Sequence, residues 1–263
     1  MALYDIAAQA ANQPLYAFLG GQQKPIESDL TIGIGTPEDM AKQAVAFVAK
    51  GVTMIKVKLG KQPADDIERI KQIRSAIGEK TILRIDANQG WSKEEALPVL
   101  TALSVYDIQF CEQPMHKYYD DYLPALCAAS PIKIMADESV FTHHEARKLI
   151  QQKACHYINI KFSKSGGIHE AIKIHDIGKA NGIACMMGGM LESRLALTAK
   201  VHFAMAHDNI HFYDMDTCLL GHKEDPVIGG VQFNGMHISI SDSPGIGATV
   251  DPNYLSKLES CVV

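Results

Sequence analysis

The chain has 263 residues, 47% of them hydrophobic, with 25 basic and 30 acidic side chains and a formal net charge of -5. The charges are interspersed, so no basic stripe points to nucleic acid and no polybasic run points to a membrane surface. No apolar run reaches the roughly 18 residues of a membrane span, Met1 to Gly20 shows no export signal, and the cysteines (Cys111, Cys127, Cys155, Cys185, Cys218, Cys261) form no CxxC pair. A reducing, cytoplasmic setting and a small-molecule substrate are therefore expected.

In chain order, residues 3–19 carry a helical apolar pattern (Ile6, Ala7, Ala10, Ala11) that predicts one helix ending at Gly20-Gly21. Leu30 to Ile34 reads as a strand. Thr36-Pro37-Glu38-Asp39 then offers an N-cap, a first-turn proline and acid at the positive end of a helix dipole, so a helix should run to about Lys50. This strand-then-helix unit recurs, with strand centres near Ile32, Ile55, Ile85, Phe110, Met135, Asn159, Cys185 and Tyr213. Strands alternating with helices predict a parallel sheet, and eight of them close a (β/α)8 barrel of about 250 residues. An open doubly wound sheet is the alternative, but it gathers its chemistry at one switch point beside a glycine-rich turn. Here charged residues end many of the strands, which favours the barrel. The barrel is expected over residues 1–221. Residues 222–228 read as polar loop and Gly229 to Ile240 as a short hairpin, so 222–263 is expected to form an appendage.

The reactive groups of such a barrel sit at the C-terminal ends of its strands. Lys56 and Lys58 end the second strand and, being two apart, project from one face. Two ammonium groups side by side repel unless carboxylates lie opposite. Asp86 with Asn88, Glu112, and Asp137 with Glu138 end the third, fourth and fifth strands; Lys161 and Lys164 end the sixth; Asp214 and Asp216 end the eighth and are expected to share a face. Each has a plain structural reading. Asp86 could cap the helix after Trp91, Glu112-Gln113-Pro114 could be a turn, and Asp137 to Ser139 could be another cap. Together, Asp86, Glu112 and Asp137 make an all-oxygen set that selects a hard cation, magnesium ahead of manganese. A nearby cation and a second ammonium would both lower a lysine from its usual value of about 10.4, toward a usable base. Lys58 and Lys161, across the ring from each other, could remove a proton from one side of a substrate and return one on the other. Asp214 and Asp216 read as a receptor for a cationic group. Lys164-Ser165-Gly166-Gly167 reads as a tight turn in preference to a phosphate loop, most histidines as packing or surface residues, and Met186 to Met190 as strand-end packing.

These residues resemble the enolase superfamily over most of the chain. Lys56-Val57-Lys58 is similar to the KxK motif of its muconate-lactonising subgroup, and Asp214-Met215-Asp216 to the DxD motif of its dipeptide epimerases. The resemblance implies a magnesium-dependent 1,1-proton transfer at the C-terminal residue of a dipeptide, through an enediolate. It implies metal ligands Asp86, Glu112 and Asp137, catalytic Lys58 and Lys161, and substrate contacts at Lys56, Asn88, Asp214 and Asp216, with Asn88 and Glu138 orienting ligands or lysines. Other reactions of the subgroup (cycloisomerase, o-succinylbenzoate synthase, N-acylamino acid racemase) are the alternatives. Superfamily members carry an N-terminal capping domain; none is visible here, so a weaker lid with reduced or absent turnover is expected. The expected partner is a dipeptide, with no nucleic acid or membrane, and a homo-oligomer is left open.

Overall fold

The apolar, β-branched runs that end in charged residues form the strands of a (β/α)8 barrel in the computed structural model, which describes residues 1–220 and 224–260. We number them β1 (Leu30–Ile32), β2 (Met54–Lys58), β3 (Ile82–Asp86), β4 (Ile108–Glu112), β5 (Ile134–Ala136), β6 (Tyr157–Ile160), β7 (Ala184–Gly188) and β8 (Ile210–Asp214). All eight are parallel and pair in chain order. The Asp29 amide donates to the Tyr213 carbonyl at 3.3 Å, joining the approach to β1 to β8. Register aligns the strand ends: Lys58 lies beside Asp86, and Asp86 beside Glu112.

The helices start where their caps dictate. Ser92 with Glu95 and Thr142 with Glu145 form capping boxes ahead of helices Lys93–Leu103 and His143–Gln151. Neither Asp86 nor Asp137 caps these helices, so both acids are left to the strand ends.

By internal contacts the chain forms two compact units, with Ser28–Gly188 and Asn209–Asp214, holding every barrel strand, in one of them. The core of this unit is Phe110, Met135 and Met186, each fully buried, with Tyr157 and Phe212 against them. Lower in the barrel, Arg84 donates to Asp29 Oδ2 at 2.8 Å and to Gln109 Oε1 at 2.8 Å, and its guanidinium faces the rings of Phe110 and Phe212 at 5.3 and 5.5 Å. The other unit comprises Met1–Glu27, Gly189–Asp208 and the described residues from Met215 onward. In it, Ile26–Glu27 pairs with His237–Ser239, which forms a hairpin with Gln232–Asn234, and Val227–Gly229 pairs with Ala248–Val250. His202, on helix Arg194–Ala206, accepts the Tyr16 amide through Nδ1 at 3.1 Å. Gly21 allows a close approach, since a Cβ there would lie 2.2 Å from Ala206 Cα.

Three expectations change. The single helix over residues 3–19 is two helices, Ala2–Ala10 and Leu15–Phe18, because Asn12 takes a left-handed φ of 52° and Pro14 removes an amide donor. The stretch read as polar loop up to residue 228 contains the start of strand Val227–Gly229. Residues 1–27 and 189–208 group with the tail rather than with the barrel strands; the expected division at 221/222, like Cys261, lies outside the described residues. Among the described cysteines, Cys111, Cys127, Cys155 and Cys185 are buried free thiols. Among the described residues, no helix is long and apolar enough to cross a membrane.

Candidate active site

Alternation along β2 turns Lys56 and Lys58 to one face, and the parallel register brings acids from β3 and β4 beside them. Lys56 is buried, with Nζ 2.7 Å from Glu112 Oε2, 2.8 Å from Asp214 Oδ2 and 3.0 Å from Asp86 Oδ2. Lys58 Nζ, with a quarter of its side chain exposed, donates to Asp86 Oδ2 at 2.7 Å and Asn88 Oδ1 at 2.9 Å. Lys161 follows β6 and donates to Asp137 Oδ2 at 2.7 Å, with Glu112 Oε1 at 3.6 Å. Lys164, one turn later, donates to Asp137 Oδ1. Positive and negative groups thus alternate in one unbroken run: Lys58, Asp86, Lys56, Glu112, Lys161, Asp137, Lys164. Burying an ion costs several kcal/mol after relaxation, of order, and only such close pairing offsets it.

The fields follow from this order. Burial works against charge on Lys56, but Asp214, Asp86 and Glu112 outweigh it and hold the ammonium well above its usual value. Lys161 is also raised, with burial opposing and Glu112 and Asp137 prevailing. Burial would lift Asp137, yet Lys164 and Lys161 hold it down to about 2. Asp214 is lowered in the same way by Lys56 and Lys161 against burial. Glu138 goes the other way: burial, then Asp137 and Asp86, push it up to about 7. Lys164 is lowered, because burial leads and Lys161 adds to it against Asp137. At Lys161 and Lys56 the carboxylates dominate.

Most of the expected residues come together: Lys56, Lys58, Asp86, Asn88, Glu112, Asp137, Lys161 and Asp214. The expectation that Asp214 and Asp216 share a strand face does not hold. β8 ends at Asp214, while Asp216, fully buried, precedes the 3-10 turn Thr217–Leu219, where its carbonyl accepts the Leu219 amide at 2.8 Å, and belongs to the other unit. The Lys164-Ser165-Gly166-Gly167 stretch is a tight turn, closing the single helical turn Phe162–Ser165 with a left-handed Gly166. Two residues given no chemical role by the sequence, Asn159 and Gln113, also belong to the site. Asn159 Nδ2 donates to Glu112 Oε1 at 2.7 Å; it lies two residues before Lys161, the same spacing that flagged Lys56 and Lys58. Gln113 accepts the Asp137 amide at 2.9 Å and donates to Ser139 Oγ at 2.7 Å, from a left-handed φ of 36° that no residue pattern announces. Lys164 was noted at its strand end, but its bond to Asp137 depends on the turn.

The donor set suits a hard cation: Asp86, Glu112 and Asp137 supply only oxygens, from adjacent strands. Asp86 and Glu112 already share one cation, the Lys56 ammonium, and Glu112 and Asp137 share the Lys161 ammonium. Glu112 Oε2 is ion-paired with Lys56 at 2.7 Å, so a cation ligated there would compete with that ammonium. As placed, with ammonium groups between them, no three acids among the described residues form a ready metal shell.

The chain belongs to the enolase C-terminal domain-like family, whose model matches residues 39–254, a range that takes in seven of the eight barrel strands and every acid and lysine of the run. Several of the relatives it matches are named as epimerases, and one as an N-succinyl-L-Arg/Lys racemase. The D-Ala-D/L-Ala epimerase of Cytophaga hutchinsonii is 44% identical over 100% of this chain and 72% of its own length. The L-Ala-D/L-Glu epimerase of Bacillus subtilis is 41% identical over 94% of this chain and 68% of its own. The crystal structure of the Cytophaga hutchinsonii dipeptide epimerase, complexed with Mg and D-Ala-L-Val, superimposes with a TM-score of 0.96 at 45% identity, covering 98% of this chain and 70% of that one.

Proposed function

We propose that this chain catalyses the magnesium-dependent epimerisation of dipeptides at the α-carbon of the C-terminal residue. The observation that carries the reading is the placement of Lys58 and Lys161 at well-separated points of the alternating charge run, on strands four apart in a ring of eight. Two lysines so placed can address the two faces of one carbon.

Asp86, Glu112 and Asp137 would hold the ion. When bound, it supplies the positive charge that stabilises the enediolate developing on the substrate's carboxylate. The rest is the work of the chain's own groups. One of Lys58 and Lys161, as the free amine, takes the α-proton; the other, as ammonium, delivers a proton to the opposite face. Proton transfer by positioned groups of this kind contributes roughly 10²–10⁴-fold. Asn88 Nδ2 donates to Glu138 Oε1 at 3.3 Å while its Oδ1 accepts from Lys58, so it orients the Lys58 ammonium. Lys56 neutralises the acids that flank it and supports charge at the substrate carboxylate. Asp214, the first acid of the DxD motif and the one at the strand end beside Lys56, would receive the substrate's ammonium.

The test is an exchange experiment. The Mg2+-loaded protein is incubated in deuterated water with a library of L,L-dipeptides and, in parallel, N-acylamino acids. Deuterium should enter at the C-terminal α-carbon of a dipeptide and should be lost in Lys58→Ala and Lys161→Ala. Exchange confined to N-acylamino acids would replace the dipeptide reading with a racemase, and no exchange at all would remove the activity.

A further inference from the structure

Asp137 is held in a way no other acid of the site is, and the holder is Lys164. Its Nζ donates to Asp137 Oδ1, to the Asp137 carbonyl at 2.6 Å and to the Asn159 carbonyl at 3.1 Å. An ammonium has three N–H donors, and three acceptors meet it. The short helix Phe162–Ser165 sets the reach: Lys161 is its N-cap, the Lys164 amide bonds the Lys161 carbonyl at 3.0 Å, and Gly166, with φ of 82°, ends the turn. Lys161 and Lys164 therefore approach one carboxylate, Lys161 at Oδ2 and Lys164 at Oδ1. The side chain of Lys164 is only 9% exposed, so these contacts are its surroundings.

We propose that Lys164 is a positioning residue: it engages Oδ1 and the backbone of Asp137 so that Oδ2 is presented toward Glu112 and Lys161, the side on which the proposed cation would be shared. The inference rests on the metal-ligand reading above. It gives that reading a counterintuitive sign. Removing a positive charge beside a cation site should tighten cation binding by Coulomb's law. Removing a clamp on a ligand should weaken it, by about 10–100-fold for groups that orient metal ligands.

Calorimetric titration of the full chain with Mg2+ decides between them. Lys164→Met should weaken Mg2+ binding about 10–100-fold at an unchanged circular dichroism spectrum, and ethylammonium should restore affinity to Lys164→Ala, a rescue that a purely structural role would not show. Unchanged or tighter binding in Lys164→Met, or no rescue, overturns the inference while leaving the metal reading intact. A parent chain that binds no Mg2+ overturns both. If Lys164→Met does not fold, Lys164→Arg serves: a planar guanidinium cannot converge its donors on these three acceptors, so binding should weaken severalfold, and parent-like affinity would refute the clamp.

Discussion

Two clusters of buried charge lie in the same barrel, and they are built on opposite principles. Arg84 in the interior meets one acid, Asp29, at 2.8 Å, with Gln109 and the Tyr213 carbonyl taking further donors and two aromatic rings closing over it. At the strand ends, Lys56 is shared by three acids and Asp137 by two lysines. In the first cluster one cation faces one acid at hydrogen-bond distance. In the second, partners are in surplus and can be exchanged. A buried pair that only supports the fold favours the first pattern, whereas a site that must pass a proton and accept a ligand requires the second.

The contrast can be broken by substitution. The largest effect is on turnover: Lys161→Met should lower dipeptide epimerisation by about 10²–10⁴-fold, yet cost less stability than Arg84→Met, because Lys164 still pairs Asp137. Urea unfolding beside a coupled epimerisation assay compares the two, and equal destabilisation would erase the distinction. Arg84→Met should cost about 3–5 kcal/mol, since Asp29 is then left buried without its cation; a loss below about 1 kcal/mol by the same urea assay would show that the interior pair is not structural.

Gly188→Ala sharpens the comparison at a smaller scale. A Cβ there would lie 2.2 Å from Asn159 Oδ1, and Asn159 is bonded to Glu112. The clash should cost about 1–3 kcal/mol and lower activity through Glu112. Adding Asn159→Ala should recover the stability but not the activity, which thermal melts and the assay would separate. The mildest case is a pair outside both clusters. Burial works against Glu170, but the backbone amide and ring of His143, with Lys173, hold its carboxyl down at about 2, against a usual 4.5. A lowered acid stabilises the fold fully above its unfolded value and loses that contribution as pH falls from about 4.5 through 2. Glu170→Gln should therefore lower stability near neutrality and flatten its pH dependence between about 4.5 and 2; acid titrations of parent and variant, followed by circular dichroism, should show the two curves converging at the acid end, and parallel curves would refute the assignment.

Much of this was readable from residue order. Each of the eight strand centres lies in its strand, because alternating apolar runs of this length have few other ways to bury themselves. The period of two in Lys56 and Lys58 puts them on a shared face by spacing alone. Where reading failed, a local conformation intervened: Asn12 and Pro14 split the first helix, and the end of β8 at Asp214 separated it from Asp216. A pattern of side chains does not report a single left-handed residue or where a strand stops.

From residue order alone come the barrel, the acids and lysines at its strand ends, and the hard-cation character of the set, since periodicity and donor chemistry are local properties. Tertiary structure alone decided who pairs with whom: Asn159 with Glu112, Gln113 with the Asp137 amide, Lys164 with Oδ1, and the upward pull on Lys56 and Lys161. Pairing depends on distances between segments far apart in the chain, and the balance between burial and neighbouring charge depends on those distances to within an ångström or so.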